Sequence, residues 1–317
     1  MFESLIRMYM KLYEVKPDKN DFSNWEVFKT KEFLNGNDEI KTSFYLKSVD
    51  FNYNYEKQFC FIENYFSPLD TNDFKNKSIL DLGCFTGGRL IRWVEKFKFQ
   101  YGYGIDINPI FKTAGDYYIK EKKPELDGKI NLYTGVGEKL PFDDESVDFI
   151  FSFDVFEHVQ NVEKTVKECK RILKKGGLLL AVFPQFFQPL ESHLGFVSKM
   201  PSIHWFFNGK DIAKVYYKII KERGPEAQWY NLDSPDLKKW EKLPSLNGIT
   251  IKRFKNIIDN NRLEVLYKGR EPIFSDGRAA QRYIIFKILK ILLYIPAQIP
   301  ILNELFLSKI NWLIRKK

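Results

Sequence analysis

Ser78-Ile79-Leu80-Asp81-Leu82-Gly83-Cys84-Phe85-Thr86-Gly87-Gly88 decides the fold. Ile79 to Leu82 is a short apolar run with an acid near its end, and such a run before a glycine turn reads as a buried strand. The turn spans Gly83 to Gly88, and from Arg89 onward Leu90, Ile91, Trp93, Val94 and Phe97 recur at helical spacing. Strand, glycine turn and helix in succession form the nucleotide-cradling corner of a doubly wound α/β sheet. The glycine spacing then separates the cofactors. A dinucleotide loop uses G-x-G-x-x-G to bring its backbone against a pyrophosphate. Here the pattern is G-x-x-x-G-G, with Phe85 at the second glycine position and an acid in the strand. A carboxylate repels a pyrophosphate but suits an ammonium group and a sulfonium-bearing amino acid.

Asp81 to Gly88 resembles the first motif of class I S-adenosylmethionine-dependent methyltransferases, acid-x-G-x-G-x-G, with Phe85 in place of the middle glycine. Four further pieces follow in that family's order. Tyr101 to Ile107 reads as a second strand ending in Asp106, an acid placed to accept both ribose hydroxyls. Gly135 to Phe142 resembles the loop that edges the adenine, with Val136 where the family often has Asp. Ser146 to Asp154 reads as the fourth strand, and Glu157-His158 matches a pair that follows it in one large subgroup. Ile172 to Val182 is a helix end, a Gly-Gly stop and the fifth strand.

The resemblance implies a Rossmann-like doubly wound sheet of seven strands, the last antiparallel, with an N-terminal helical extension and an inserted cap. It implies S-adenosylmethionine as cofactor, held by Asp81, Gly83, Cys84, Gly87, Asp106, Ile107, Gly137, Glu138 and Phe153. For acceptor chemistry the candidates are His193, His158 and Asp154. His titrates near neutrality and can take the proton that an acceptor releases. His158 also reads as a brace for its loop, and His204, between Ile203 and Trp205, as packing. The histidine spacing is not that of a metal site, and the three scattered cysteines (Cys60, Cys84, Cys169) contain no C-x-x-C pair. No metal is expected, and a reducing compartment is.

The chain divides into an N-terminal extension (1–76), a cofactor-binding core (77–183), an inserted substrate cap (184–248) and a C-terminal part of the core (249–317). Helices are expected over Leu5–Tyr13 and Tyr55–Phe66. Core strands are expected over 78–82, 101–105, 129–134, 147–153 and 177–183, with helices over 87–97, 109–121 and 160–174. Thr250 reads as a helix cap, Leu263–Tyr267 as a strand, and 281–295 as an amphipathic helix whose Ile284, Ile288, Ile291 and Ile295 share a core-facing side. The segment from Leu302 to Lys316 resembles the family's closing helix and last strand.

Of the 317 residues, 50 are Lys or Arg and 41 are Asp or Glu, a net charge of +9. Residues 250–317 hold 14 of the former and 5 of the latter, so they carry the whole excess and the first 249 residues sum to zero. A solvated basic face is the preferred reading, and peripheral membrane contact through this tail is the other. The uncharged run Ile291–Leu302 is shorter than the ~20 residues of a membrane span, and Glu3, Arg7, Lys11 and Glu14 do not suit a signal peptide. A cytoplasmic enzyme is expected, and nucleic acid is not an expected partner.

The aromatic-rich insertion loosely resembles those of sugar and natural-product methyltransferases. It points to O-methylation of a sugar or lipid-linked glycan precursor. Two alternatives stand beside that reading: a quinone or lipid methyltransferase, and a non-catalytic module that binds S-adenosylmethionine.

Overall fold

The computed structural model describes residues 2–15, 22, 27–28, 30–59, 70–190, 194, 197–223, 246–275 and 284–317. Among them seven strands form one sheet: β1 (Ser78–Leu82), β2 (Tyr101–Asp106), β3 (Ile130–Thr134), β4 (Val147–Phe153), β5 (Leu173–Phe183), β6 (Glu264–Lys268) and β7 (Ile310–Arg315). Their order is β3-β2-β1-β4-β5-β7-β6. The first five pair in parallel, and β7 runs antiparallel to both β5 and β6.

From β1 the chain moves outward through β2 to β3, then returns to place β4 on the other side of β1. The connections on the two sides of β1 therefore lead away from each other. This leaves a crevice at the carboxyl ends of β1 and β4, where ligands of open α/β sheets bind.

The period of two along each strand separates the two faces of the sheet. Ile79, Phe149, Phe151 and Leu180 pack with α4 (Gly88–Phe97) and α5 (Pro109–Lys122). Leu80, Ile150, Leu179 and Ile314 pack on the other face with α6 (Val162–Ile172) and α9 (Ile251–Asn260). Caps fix the helix starts: Asn108, Asn161 and Thr250 each accept a hydrogen bond from a first-turn backbone N–H.

Upstream of β1 the chain contributes α1 (Phe2–Leu12), the single turn α2 (Lys31–Leu34) and the long α3 (Asp38–Phe59). These serve two different cores. Ile6 and Met10 of α1 pack with residues after β5, including Ile203 on the turn α7 (Ile203–Phe206) and Ile212, Val215 and Tyr216 on α8 (Gly209–Glu222). Helix α3 instead lies over α4 and α5, with Tyr118 donating to Asp50 (2.7 Å) and Trp93 Nε1 donating to buried Glu56 (2.7 Å).

Several elements differ from the sequence reading. The second upstream helix begins at Asp38 rather than Tyr55, because polar residues through its middle mask the periodicity of Phe44 and Val49, and residues 60–66 of the expected helix lie outside the described residues. α6 stops at Ile172 and β5 starts at Leu173, earlier than the glycine pair suggests. The backbone there is already paired: Gly176 N–H donates to Lys316 O and Lys316 N–H to Gly177 O. The tail helix, α10 (Ile284–Gln298), forms as expected, but its isoleucine face does not enter the core. Ile284, Ile291 and Ile295 are 76%, 73% and 71% exposed, so plain core packing is not the role of that face. A turn, α11 (Asn303–Phe306), leads from it into β7.

Gly88 shows how closely α3 and α4 approach. A Cβ at this position would stand 2.4 Å from Val49 O and 2.8 Å from Tyr53 N, both backbone atoms of α3. Because backbone cannot swing away as a side chain can, Gly88→Ala is expected to lower stability by about 1–3 kcal/mol. Thermal unfolding measures this, and an unchanged midpoint would mean that the two helices do not meet at Gly88.

Candidate active site

The β1 turn is built around two left-handed glycines, Gly83 and Gly87, and one left-handed phenylalanine. Gly83 has φ of +80°, and a Cβ there would fall 2.1 Å from Val155 Cγ2. Phe85 has φ of +52°, a region that costs a bulky residue roughly 1–2 kcal/mol. Two interactions hold it there. Its ring packs edge-on against Phe111 at 4.5 Å, within an aromatic cluster that includes Phe28. Its N–H donates to Asp106 Oδ2 at 2.9 Å. The missing middle glycine is thus compensated by ring packing, and the same N–H aims the acid at the end of β2.

Asp106 lies where the sequence reading places it, at the carboxyl end of β2 beside the β1 turn. Burial raises its carboxyl from 3.8 to about 6, against the hydrogen bonds donated by the backbone of Phe85, Asn108 and Ile107. Ile107 is 73% exposed immediately after it, and Val136, at the end of neighbouring β3, is 47% exposed. Two apolar side chains held out at adjacent strand ends offer a surface to a flat ring. Gly137 lies against Thr165 of α6. Glu138 turns to the loop before that helix, where its Oε1 accepts from Asn161 N–H at 2.9 Å.

Asp81 has a partner that the sequence reading did not foresee. Its side chain is fully buried, and Arg89 donates to both of its oxygens at 3.2 and 2.9 Å. Burial raises the Asp81 carboxyl above its ordinary value, while the charge and hydrogen bonds of Arg89 pull it down. The cation that meets this acid is thus a guanidinium of the chain itself. Arg89 also stacks against the rings of Trp93, Phe151 and Phe153 at 5.2–5.6 Å. Cys84 is buried beside the pair, and burial pushes its thiol well up, so the sulfur stays protonated.

At the end of β4, Phe153 lies between two cations. Arg89 approaches its ring on one contact, and Lys309 approaches at 4.2 Å on another. Lys309 Nζ also donates to both oxygens of Asp154, at 2.7 and 3.0 Å. Asp154 sits at φ +55° with its N–H tied to Val182 O, and its side chain is 41% exposed at the crevice end. His158 is partly exposed, with Nε2 3.8 Å from Glu157 Oε1. His193 lies outside the described residues. His204 is half-buried against Phe186, and desolvation lowers it to about 4, which leaves its imidazole neutral.

Arg89 and Lys309 are the site residues that sequence reasoning missed. Arg89 carried a signal. It precedes Trp93 by one helical turn and sits next to the buried face of α4, where a cation needs an acid. Lys309 carried none, because it reaches Asp154 only through the β5–β7 pairing that sets Ile310 opposite Phe183. A recess of about 520 Å³ lined by Lys170, Arg171, Asn261 and Lys316 lies at the opposite, amino-terminal edge of the sheet. Its cations are engaged with Asn261 O, Glu168, Asp144 and Leu173 O.

The methyltransferase-domain family matches residues 80–181, from β1 through β5. Residues 80–181 carry a methyltransferase domain, set in the Rossmann-like fold of class I methyltransferases. The seven-stranded order with its antiparallel β7 agrees with that fold. A malonyl-[acyl-carrier protein] O-methyltransferase of Coxiella burnetii is 31% identical over 144 residues, which are 44% of this chain and 45% of that protein. A sterol 24-C-methyltransferase of Gibberella zeae is 32% identical over 100 residues, 32% of this chain and 26% of that one. The chain thus spans less than half the length of these relatives. A geranyl diphosphate C-methyltransferase of Streptomyces coelicolor A3(2), solved with Mg2+, geranyl diphosphate and S-adenosyl-L-homocysteine, is similar with a TM-score of 0.51 and 12% identity, covering 100% of this chain and 98% of that one. At that identity the likeness is one of fold.

The side chains at the crevice suit S-adenosylmethionine, the cofactor that the resemblance of Asp81 to Gly88 implies. Asp106 offers acceptor oxygens of the kind that ribose hydroxyls need, and Ile107 and Val136 offer exposed apolar surface of the kind that adenine needs. Among the described residues no cluster of His, Cys, Asp and Glu could hold a metal ion.

The raised Asp106 carboxyl has a consequence for the free protein. A carboxyl whose folded value lies above its unfolded one binds more protons folded than unfolded between the two. Its contribution to stability is therefore full below 3.8 and is lost as pH rises to about 6. Asp106→Asn keeps an acceptor for Phe85 N–H and removes the titration. It is expected to raise stability at neutral pH by on the order of 1–3 kcal/mol and to flatten the pH dependence of unfolding in that window. A variant as pH-sensitive as the parent would refute the assignment.

Proposed function

We propose that the protein is an S-adenosylmethionine-dependent methyltransferase of a small-molecule acceptor, most specifically an enzyme that methylates a hydroxyl of a sugar or lipid-linked glycan precursor. The observation that carries the reading is the placement of two acids at strand ends on either side of β1 in one crevice: Asp106 ending β2 and Asp154 following β4. In this reading Asp106 takes the ribose hydroxyls, Ile107 and Val136 flank the adenine, and the Gly83–Gly87 turn passes beneath the cofactor. Asp81 acts through Arg89, which lies toward the methionine end. When bound, S-adenosylmethionine supplies an activated methyl group.

The chain's own residues then handle the acceptor. Positioning is the larger contribution to methyl transfer, worth up to roughly 7–11 kcal/mol when reactants are held in line. A hydroxyl must also lose a proton, and a placed base contributes about 10²–10⁴-fold. Asp154 suits that role, since it is half-exposed at the crevice and Lys309 fixes its orientation. His158 and His193 are the other candidates for it. The two described ends of the cap segment are fastened here: Asn247 Nδ2 donates to Phe156 O and Val159 O, and Phe186 N–H donates to Ile249 O. Phe186, Phe187 and Trp205 bring aromatic surface to the cap, and such faces stack on sugar rings.

The second reading, a quinone or other lipid as acceptor, is favoured by the exposed apolar face of α10. The relatives are named for carrier-bound and apolar small molecules, which supports a small acceptor under either reading.

Isothermal titration with S-adenosylhomocysteine tests the cofactor assignment. Asp106→Ala should weaken binding by about tenfold or more, because buried partners lose their hydrogen bonds; unchanged affinity would sink the ribose contact. Asp154→Asn should lower kcat by about 10²-fold while cofactor affinity stays the same. Transfer of labelled methyl to saccharide hydroxyls in an acceptor panel is the expected result. Labelling of quinones alone would establish the second reading. Cofactor binding with no transfer to any acceptor would favour a non-catalytic module.

A further inference from the structure

α10 is apolar on two sides. Phe286, Leu289 and Leu293 are partly covered and Ala297 is buried, with Phe286 stacked on Phe274 at 4.9 Å. Opposite them stand Ile284, Ile285, Ile288, Ile291, Leu292 and Ile295, between 47% and 76% exposed. At 3.6 residues per turn these six fall within an arc of about 120°. An exposed apolar face of this width belongs under another surface.

Place and charge say which surface. α10 lies between β6 and β7, and both junctions are at the carboxyl edge of the sheet, because Ile310 opens β7 opposite Phe183. Gln185 Nε2 donates to Leu307 O at 2.7 Å, which binds the segment after α10 to the loop that leaves β5 for the cap. The isoleucine face therefore flanks the same edge as the crevice. Of the basic excess in 250–317, Lys287 stands exposed beside the isoleucines, and Lys268 and Arg270 lie exposed at the end of β6 on the same edge, while Lys316 lies at the opposite edge. A second copy docked on this face by a twofold axis would bring these like charges toward one another. An anionic surface with an apolar interior complements both features. The helix has 15 residues, fewer than the ~20 of a span, so it suits a position in the plane of the interface.

We propose that α10 docks the protein on an anionic lipid bilayer, with its isoleucine face in the acyl boundary, so that the acceptor crevice opens beside the membrane. This extends the proposed function by naming where the acceptor is met. Vesicle binding and cofactor affinity are read separately, so the failure of one is distinguishable from the failure of the other.

The test is co-sedimentation of the full chain with phosphatidylcholine vesicles, alone and with about one third phosphatidylglycerol, alongside titration with S-adenosylhomocysteine. Binding to the anionic vesicles, weakened by salt, is expected. Ile291→Glu/Ile295→Glu should reduce it by about tenfold or more with cofactor affinity unchanged. Lys287→Glu, which leaves the apolar face intact, should reduce it by about threefold or more. No binding by the parent chain would overturn the proposal, as would binding untouched by the isoleucine variant. A parent dimer that the same variant turns into a monomer would overturn it too, by assigning the face to a second copy.

Discussion

The buried pair of Asp81 and Arg89 is the interaction on which the site depends. Neither charge could be taken out of water alone, since an unpaired buried ion costs several kcal/mol. Both are tolerated because two hydrogen bonds join them and aromatic rings line the guanidinium. The pair spans the glycine turn, joining the last residues of β1 to the first turn of α4. It thereby fixes the floor of the crevice before any ligand arrives. Losing either partner would leave the other uncompensated, at a cost of about 3–5 kcal/mol.

The rest of the molecule is arranged around that floor. Helix α3 presses on α4 at Gly88 and so supports the turn from outside. Phe28 reaches the aromatic cluster that holds Phe85 in its left-handed conformation. Beyond β5, Asn247 is fastened to the loop that follows β4. The tail is fastened at Lys309, which closes on Asp154 from a different part of the chain. Upstream, inserted and C-terminal segments thus all converge on the carboxyl edge of one sheet.

Much of this was legible in the sequence, for a physical reason. Each core motif is local: a strand and the few residues after it, with the acid or glycine that its turn requires. Asp106 could be placed from Tyr101 to Ile107 alone, and β7 from the resemblance of Lys309 to Lys316 to the family's last strand. What escaped was non-local. Arg89 became the partner of Asp81 only once α4 had folded back, and Lys309 met Asp154 only through an antiparallel pairing. The periodicity of α10 showed that it had an apolar face but not what would cover it, and the face turned out to point away from the core. The left-handed Phe85 ran against local propensity, and aromatic packing from a distant segment made it affordable. His193, a candidate base, lies in the insertion outside the described residues, where no local pattern fixed its place.

Hydrogen–deuterium exchange with and without S-adenosylhomocysteine tests the central claim most directly, that the crevice beside Asp81, Asp106 and Gly137 is the cofactor site. Slower exchange is expected in three separate stretches, 83–88, 105–108 and 135–138, with the recess at Lys170 and Lys316 unchanged. Protection confined to that recess, or none in the three loops at saturating ligand, would contradict it.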